Sequence, residues 1–197
     1  MNDDAVPEAA LPPSPPDPAE EGRRFRRLLA RAARKLGRRP MSRRELIAAL
    51  EDPEREPESD PALLARVADR CQELGYLDDA AFARQRTAWR LERCGWGPAR
   101  LRLELRRKGV DEPLIQEALA RQTEELAPEA GARQALRRRF GESPAADGST
   151  LRRMRDFLAR RGFDGATIRR AIGEDYFRRA LRGLPETAVE DDPPPDD

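Results

Sequence analysis

Histidine is absent from all 197 residues, and with it the side chain most often used to move protons near neutral pH. The two thiols, Cys71 and Cys94, form no CxxC pair and have no imidazole to complete a soft metal site. There is no GxSxG elbow and no glycine-rich loop ending in Lys-Ser/Thr that would cradle a phosphate. Carboxylates are plentiful, but they accompany arginine at helical spacing, as solvated ion pairs do. The adjacent acids Asp78 and Asp79 invite a metal reading, yet they immediately precede a helical stretch and read as a cap. No enzyme, cofactor or metal centre is expected. The chemistry left is that of arginine, whose planar guanidinium pairs with carboxylates and phosphates through two hydrogen bonds at once.

The charge is unevenly placed. Residues 1–22 carry six acids and no base, and residues 183–197 carry another six acids and no base. All 38 lysines and arginines therefore fall in residues 23–182 against 25 acids, a surplus of 13 hidden beneath a net charge of +1. A basic body attracts a negative partner at long range. The two flanks are rich in proline and poor in anything to bury, so they are expected to be disordered acidic tails. No apolar run approaches the roughly 20 residues that span a bilayer, and the acidic N-terminus lacks the pattern of a secretory signal. A cytoplasmic, monomeric protein without a membrane partner is expected.

An arginine surface needs a scaffold. With 5% aromatic and 38% charged residues, the core must be thin and built from Leu, Ala, Ile and Val, which suits several small helical packets. Ala, Leu, Arg and Glu dominate, and strand-type runs are absent. Phe25, Leu28, Leu29, Ala32, Ala33 and Leu36 lay one stripe along a first helix, ended by Gly37 and Pro40. Ser42 and Glu45 form a capping box before Leu46, Ile47 and Leu50. A third helix carries Leu63, Leu64, Val67, Cys71 and Leu74, closed by Gly75. Asp78 or Asp79 caps a helix bearing Phe82 and Trp89 on one face, and Gly95-Trp96-Gly97-Pro98 breaks the chain. Helices with Leu101 and Leu105, with Leu114, Ile115, Ala118 and Leu119, with Ala132, Leu136 and Phe140, and with Leu151, Met154, Phe157 and Leu158 follow.

These elements repeat. A shift of 53 residues places Leu101 on Met154, Leu105 on Leu158, Gly109-Val110 on Gly162-Phe163, Asp111 on Asp164 and Ile115 on Ile168, without a gap. Leu46 and Leu50 match Leu101 and Leu105 more loosely. The expected fold is all-α: three tandem three-helix units, residues 23–77, 78–122 and 123–182, each too small to bury its apolar face alone and so packed on its neighbours in an elongated curved body.

The segment Gly75-Tyr76-Leu77-Asp78-Asp79, then Phe82, Gly95-Trp96-Gly97-Pro98, Leu105, Lys108-Gly109-Val110 and Ala118-Leu119, resembles the RecX family, regulators of the RecA recombinase. The likeness is strongest over residues 75–120, weaker over 23–74 and 123–173, and does not include the tails. Trp96 stands where the family more usually has Tyr, and the run from Glu51 to Pro57 replaces a shorter glycine-containing turn. The resemblance implies a body lying in the groove of a RecA–DNA filament, lowering ATP hydrolysis, strand exchange and co-protease activity. Physically, the motif residues read as structural. Gly95, Gly97, Gly109 and Gly162 serve turns and close packing; Tyr76, Phe82, Trp89 and Leu105 serve the core; Asp78 or Asp79 and Asp111 serve as caps. Partner contacts are expected instead from the neighbouring cations Arg93, Arg100, Arg102, Arg106, Arg107 and Lys108, with Arg152, Arg153, Arg155, Arg160 and Arg161 in the third unit.

A second reading is a basic helical protein that binds nucleic acid, including weak DNA binding, without a recombinase. Short helices divided by glycine pass for helix-turn-helix elements. Against it, no helix pairs its arginines with a set of Asn or Gln for reading bases, and few aromatics are expected at the surface for stacking. A third reading is a scaffold for some other protein.

Overall fold

The computed structural model describes residues 18–51, 60–125 and 127–182, all helix and connecting turn, with no strand among them. The first unit contains α1 (Pro18–Leu36), α2 (Arg43–Leu50) and α3 (Pro61–Glu73); the second α4 (Asp79–Cys94), α5 (Pro98–Arg107) and α6 (Glu112–Glu125). The third contains α7 (Pro128–Phe140), α8 (Gly148–Arg160) and α9 (Gly165–Ile172), followed by α10 (Glu174–Arg182). In every unit the first and third helices pack most extensively on each other.

Local chemistry starts most of these helices where the sequence places them. Ser42 accepts from the Glu45 amide at 3.1 Å while its own amide donates to the Glu45 carboxylate, closing the capping box. Asp78, not Asp79, caps α4 by accepting from the Ala81 amide at 2.8 Å. Asp60, Asp147 and Asp164 cap α3, α8 and α9 in the same manner. Pro98 occupies the first turn of α5, where its missing N–H costs nothing.

Four expectations need correction. Residues 18–22, assigned to the N-terminal tail, form the first turn of α1. Glu20 and Glu21 sit there at the positive end of the helix dipole, and Glu21 pairs with Arg66 of α3. The boundary drawn between residues 122 and 123 falls inside α6. The third unit carries an additional helix, α10, too short to show two apolar periods in the sequence; it buries Tyr176 and Ala180 against α8 and α9. The remaining tail positions, 1–17 and 183–197, and most of the run from Glu51 to Pro57 lie outside the described residues.

Fourth, the units do not rely on one another to bury their apolar faces. Each closes its own core: Leu28, Leu46, Leu64 and Val67 in the first, Phe82, Leu101, Leu105 and Ile115 in the second, Leu151, Met154, Leu158 and Ile168 in the third. Between units the contacts are mostly polar or backbone, and they repeat. The hydroxyl of Ser42, the N-cap of α2, donates to the carbonyl of Lys108, the C-cap of α5. One unit later the amide of Gly97, the N-cap of α5, donates 2.7 Å to the carbonyl of Arg161, the C-cap of α8. Thus α8, α5 and α2 follow one another end to end. Each joint sets the negative C-terminus of one helix on the positive N-terminus of the next, a favourable dipole arrangement.

The glycines belong to these joints. Gly109 and Gly162 take φ of +76° and +83°, which glycine adopts without penalty. A side chain at Gly162 would run into the backbone of Arg100, and one at Gly97 would lie 2.5 Å from the Gly162 carbonyl oxygen. Around these contacts, Asp79 accepts 2.8 Å from the Arg43 amide and Lys108 Nζ donates 2.6 Å to Glu45, tying unit two to unit one. Leu91 against Gly131 adds an apolar contact between α4 and α7.

Candidate partner-binding surface

Helix periodicity divides the eleven expected cations into two groups. Arg100, Arg102, Arg106, Lys108 and Arg161 are engaged inside the molecule. Arg102 and Arg106 flank Glu112 at 3.2 and 2.7 Å, fastening α5 to the start of α6. The Glu112 carboxylate is held below its ordinary range chiefly by the Arg106 hydrogen bond. Lys108 closes the first joint. Arg100 Nη1 donates 3.1 Å to the Arg160 carbonyl across the second joint, and Arg161 donates to the carbonyl of Cys94 at the end of α4. Burial, with the nearby Arg100 charge, pulls the Arg161 pKa down. Arg138 of α7 likewise donates 2.7 Å to the Glu92 carbonyl, so third-unit arginines satisfy the last carbonyls of α4.

The second group faces outward. Arg93, Arg107, Arg152, Arg155 and Arg160 are exposed and make no ion pair among the described residues; Arg153 is exposed beside the Phe140 ring at 5.9 Å. Leu151, Met154 and Leu158 fix the buried side of α8. At 100° per residue this puts Arg152, Arg153 and Arg160 on the opposite arc around one acid, Asp156, while Arg155 stands on the flank beside Leu151. Arg93 borders a small cleft with Arg138, Arg139 and Arg161 that has no acid in its lining. The uneven charge visible in the sequence thus resolves into an outer arc on α8 and a basic notch between units two and three.

The motif residues also divide. Phe82, Leu105, Gly95 and Gly97 are buried. Tyr76 and Trp89 are not in the core: they are 61% and 50% exposed. On α4 the buried set is Phe82, Ala83, Thr87 and Leu91, a stripe whose edge leaves Trp89 outside. Tyr76 follows the left-handed Gly75, which turns it away while Leu77 packs into the first core.

A cluster not foreseen in the sequence lies beside Trp89. Glu104, on the α4-facing side of α5, accepts from Arg86 at 2.7 Å and from Arg90 at 2.8 Å. Burial raises the Glu104 pKa, but the two guanidinium hydrogen bonds outweigh it and leave the carboxyl below its ordinary range. Arg90 then lies 4.3 Å over the Trp96 ring and Arg100 lies 4.1 Å over it, while exposed Trp89 has Arg90 at 5.0 Å. The available signal was the i, i+4 pair Arg86–Arg90 opposite the one acid of α5; a contact between helices cannot be read from spacing within either. Asp79 is pushed up by burial and by neighbouring Asp111 and Asp78 charges, against the hydrogen bond from Arg43. It has a connecting role. Among the described residues no group of acids or thiols is placed to hold a metal.

This geometry has relatives. Residues 78–119 match the family model described as RecX, second three-helix domain, and residues 129–172 match RecX, third three-helix domain. The curated "Regulatory protein RecX" of Stenotrophomonas maltophilia (strain R551-3) is 40% identical over 145 residues, covering 74% of this chain and 85% of that protein. The protein of the same name from Deinococcus radiodurans is 39% identical over 174 residues, covering 85% of this chain and 76% of its own. Among solved structures, RecX from Lactobacillus salivarius superposes with a TM-score of 0.62 at 16% identity, covering 83% of this chain and 99% of the other, a likeness of fold. Two matched three-helix domains and close to 40% identity along most of the length leave one conclusion: the chain belongs to the RecX family of regulatory proteins.

Proposed function

We propose that this protein regulates a RecA recombinase by binding the RecA–DNA filament, lowering its ATP hydrolysis, strand exchange and co-protease activity. The observation that carries this reading is the outward cation set. Arg107 of the second unit and Arg152, Arg155 and Arg160 of the third stand exposed on helices whose order in space is fixed by the repeated joint. A row of units with outward guanidinium groups suits a long assembly carrying carboxylates and phosphates, because Arg pairs bidentately with both. The test adds the purified protein to RecA of its own organism on single-stranded DNA and follows ATP hydrolysis. Inhibition at a small ratio of this protein to RecA supports the proposal; unchanged hydrolysis at equimolar protein removes it.

One observation favours a second reading, direct binding to nucleic acid. Trp89, expected in the core, is exposed beside Arg86 and Arg90, an arrangement on which a base can stack. Affinity for bare single strands that falls steeply with salt, together with no effect on RecA, selects this reading over the first.

A further inference from the structure

A groove of about 1020 Å³ lies in the third unit between α8, α9 and α10. Its apolar side is formed by Phe163, Ile168 and Phe177, and its rim carries Arg155, Arg169 and Arg178. Arg178 is drawn to Glu174 at 3.2 Å, and Arg170, also at the groove, to Glu129. Arg155 and Arg169 are exposed and have no ion pair among the described residues. Asp156 is the remaining acid of the lining. The groove therefore offers an apolar floor with an uncompensated basic edge.

The sequence that follows α10 has complementary chemistry. Residues 184–192 read Leu-Pro-Glu-Thr-Ala-Val-Glu-Asp-Asp: three apolar side chains for a floor, four acids for a rim, and no base. Attachment favours it over the acidic segment at the other end of the chain. It begins two residues beyond the end of α10, the helix that forms one wall. Nine extended residues span up to about 30 Å, whereas Phe177 lies only about 7.5 Å along the helix axis from Arg182. A short tether of this kind gives an effective concentration in the millimolar range, so weak contacts suffice.

We propose that residues 184–192 dock in this groove, their acids on Arg155 and Arg169 and Leu184 or Val189 on the apolar floor. The docked segment withholds Arg155 from any anionic partner, so it acts as an internal competitor; that consequence rests on the function proposed above, while the docking itself does not.

The test uses the full chain with Cys94→Ala and Val189→Cys, carrying a nitroxide at position 189. Buried Cys71 is unreactive to the label, since burial raises its thiol pKa. At low salt the methyl resonances of Leu151 and Ile168 are expected to broaden, while those of Leu46 and Leu64 in the first unit stay sharp. The broadening is expected to vanish in R155E/R169E and in 1 M salt, where screening acts within about 3 Å. A second chain with E186Q/E190Q/D191N/D192N leaves the body untouched and is expected to lose the broadening equally. Groove resonances no broader than in that neutral-tail chain overturn the proposal. Broadening that appears on unlabelled copies mixed with labelled ones overturns it as well, because the occupant is then a second molecule. With RecA absent, failure here is distinct from failure of the filament reading.

Discussion

Two guanidinium groups converge on one carboxylate at Glu104, and Asp79 stands in the reverse situation, so the two acids make opposite predictions. Glu104 is half-buried and receives hydrogen bonds from Arg86 and Arg90. Replacing it by Gln leaves both cations crowded at the α4–α5 contact, and Glu104→Gln is expected to cost about 1–3 kcal/mol in urea unfolding. Because its folded pKa lies below the unfolded value, its contribution is present above about 4.5 and is lost as pH falls through the folded value. Native protein should therefore lose stability on acidification more steeply than the Gln variant. Asp79 has its pKa raised, first by burial. Its ionisation opposes folding: the favourable contribution exists below about 3.8 and disappears as pH rises through the folded value. Asp79→Asn keeps an oxygen to accept from the Arg43 amide and removes a charge near Asp111 and Asp78. It is expected to leave the neutral-pH melting temperature unchanged or higher, whereas a metal or catalytic role for Asp79 predicts loss of activity with folding intact.

Helices become a series through their ends. At the second joint, Gly97 has an ordinary φ of −84°, so any cost of adding a methyl there is steric. Gly141 has φ of +82° with open space around a Cβ, so its cost is conformational. Gly97→Ala is expected to lose about 1–3 kcal/mol and to part the Gly97–Arg161 and Ala99–Gly162 hydrogen bonds, seen as faster amide exchange at both donors. Gly141→Ala is expected to lose about 1–3 kcal/mol with exchange at those two amides unchanged; equal exchange in both variants removes the joint as a mechanical feature. Legibility follows the same division. Caps, apolar stripes and the 53-residue repeat are local and were readable: Ser42 with Glu45, Asp78, and Gly109 against Gly162 all sit where spacing puts them. The repeat announced that glycines recur, yet not that they are where units touch, since that contact joins residues more than 60 apart. Trp89 falls outside because Phe82 itself stands at the edge of a buried arc that runs through Ala83 and Thr87 to Leu91, and a seven-residue step of about −20° carries Trp89 just beyond that edge. The small α10 has too few apolar residues to show a period at all. The series also has a marked end. Asp147, the N-cap of α8, receives hydrogen bonds from the Thr150 amide, Ser149 and the Thr150 hydroxyl, and its pKa falls to about 2. Where Ser42 and Gly97 meet the next helix, Asp147 satisfies its own turn.

For the molecule as a whole, the five engaged cations and the outward ones predict different phenotypes on charge reversal. Arg152 and Arg160 lie on the outer arc of α8 and Arg155 on its flank, with no ion pair among the described residues, so reversing them breaks no contact within the described body. The body carries 13 more bases than acids across residues 23–182, and three reversals change that surplus by six charges on one helix. Attraction to a negative assembly acts over about a Debye length, roughly 8 Å at physiological salt, so loss at one arc is felt locally rather than averaged over the chain. On the filament reading proposed above, R152E/R155E/R160E is therefore expected to weaken inhibition of RecA ATP hydrolysis by about tenfold or more, each 1.4 kcal/mol of lost affinity being a factor of ten, while thermal melting stays within a few degrees. R102E/R106E faces Glu112 with two new carboxylates and is expected to lower melting and inhibition together, so loss of function there says nothing about a docking face. If the α8 triple variant inhibits as well as the native chain, the outer arc of the third unit is not the filament contact. The basic notch holding Arg93, between units two and three, is then the surface left to carry it.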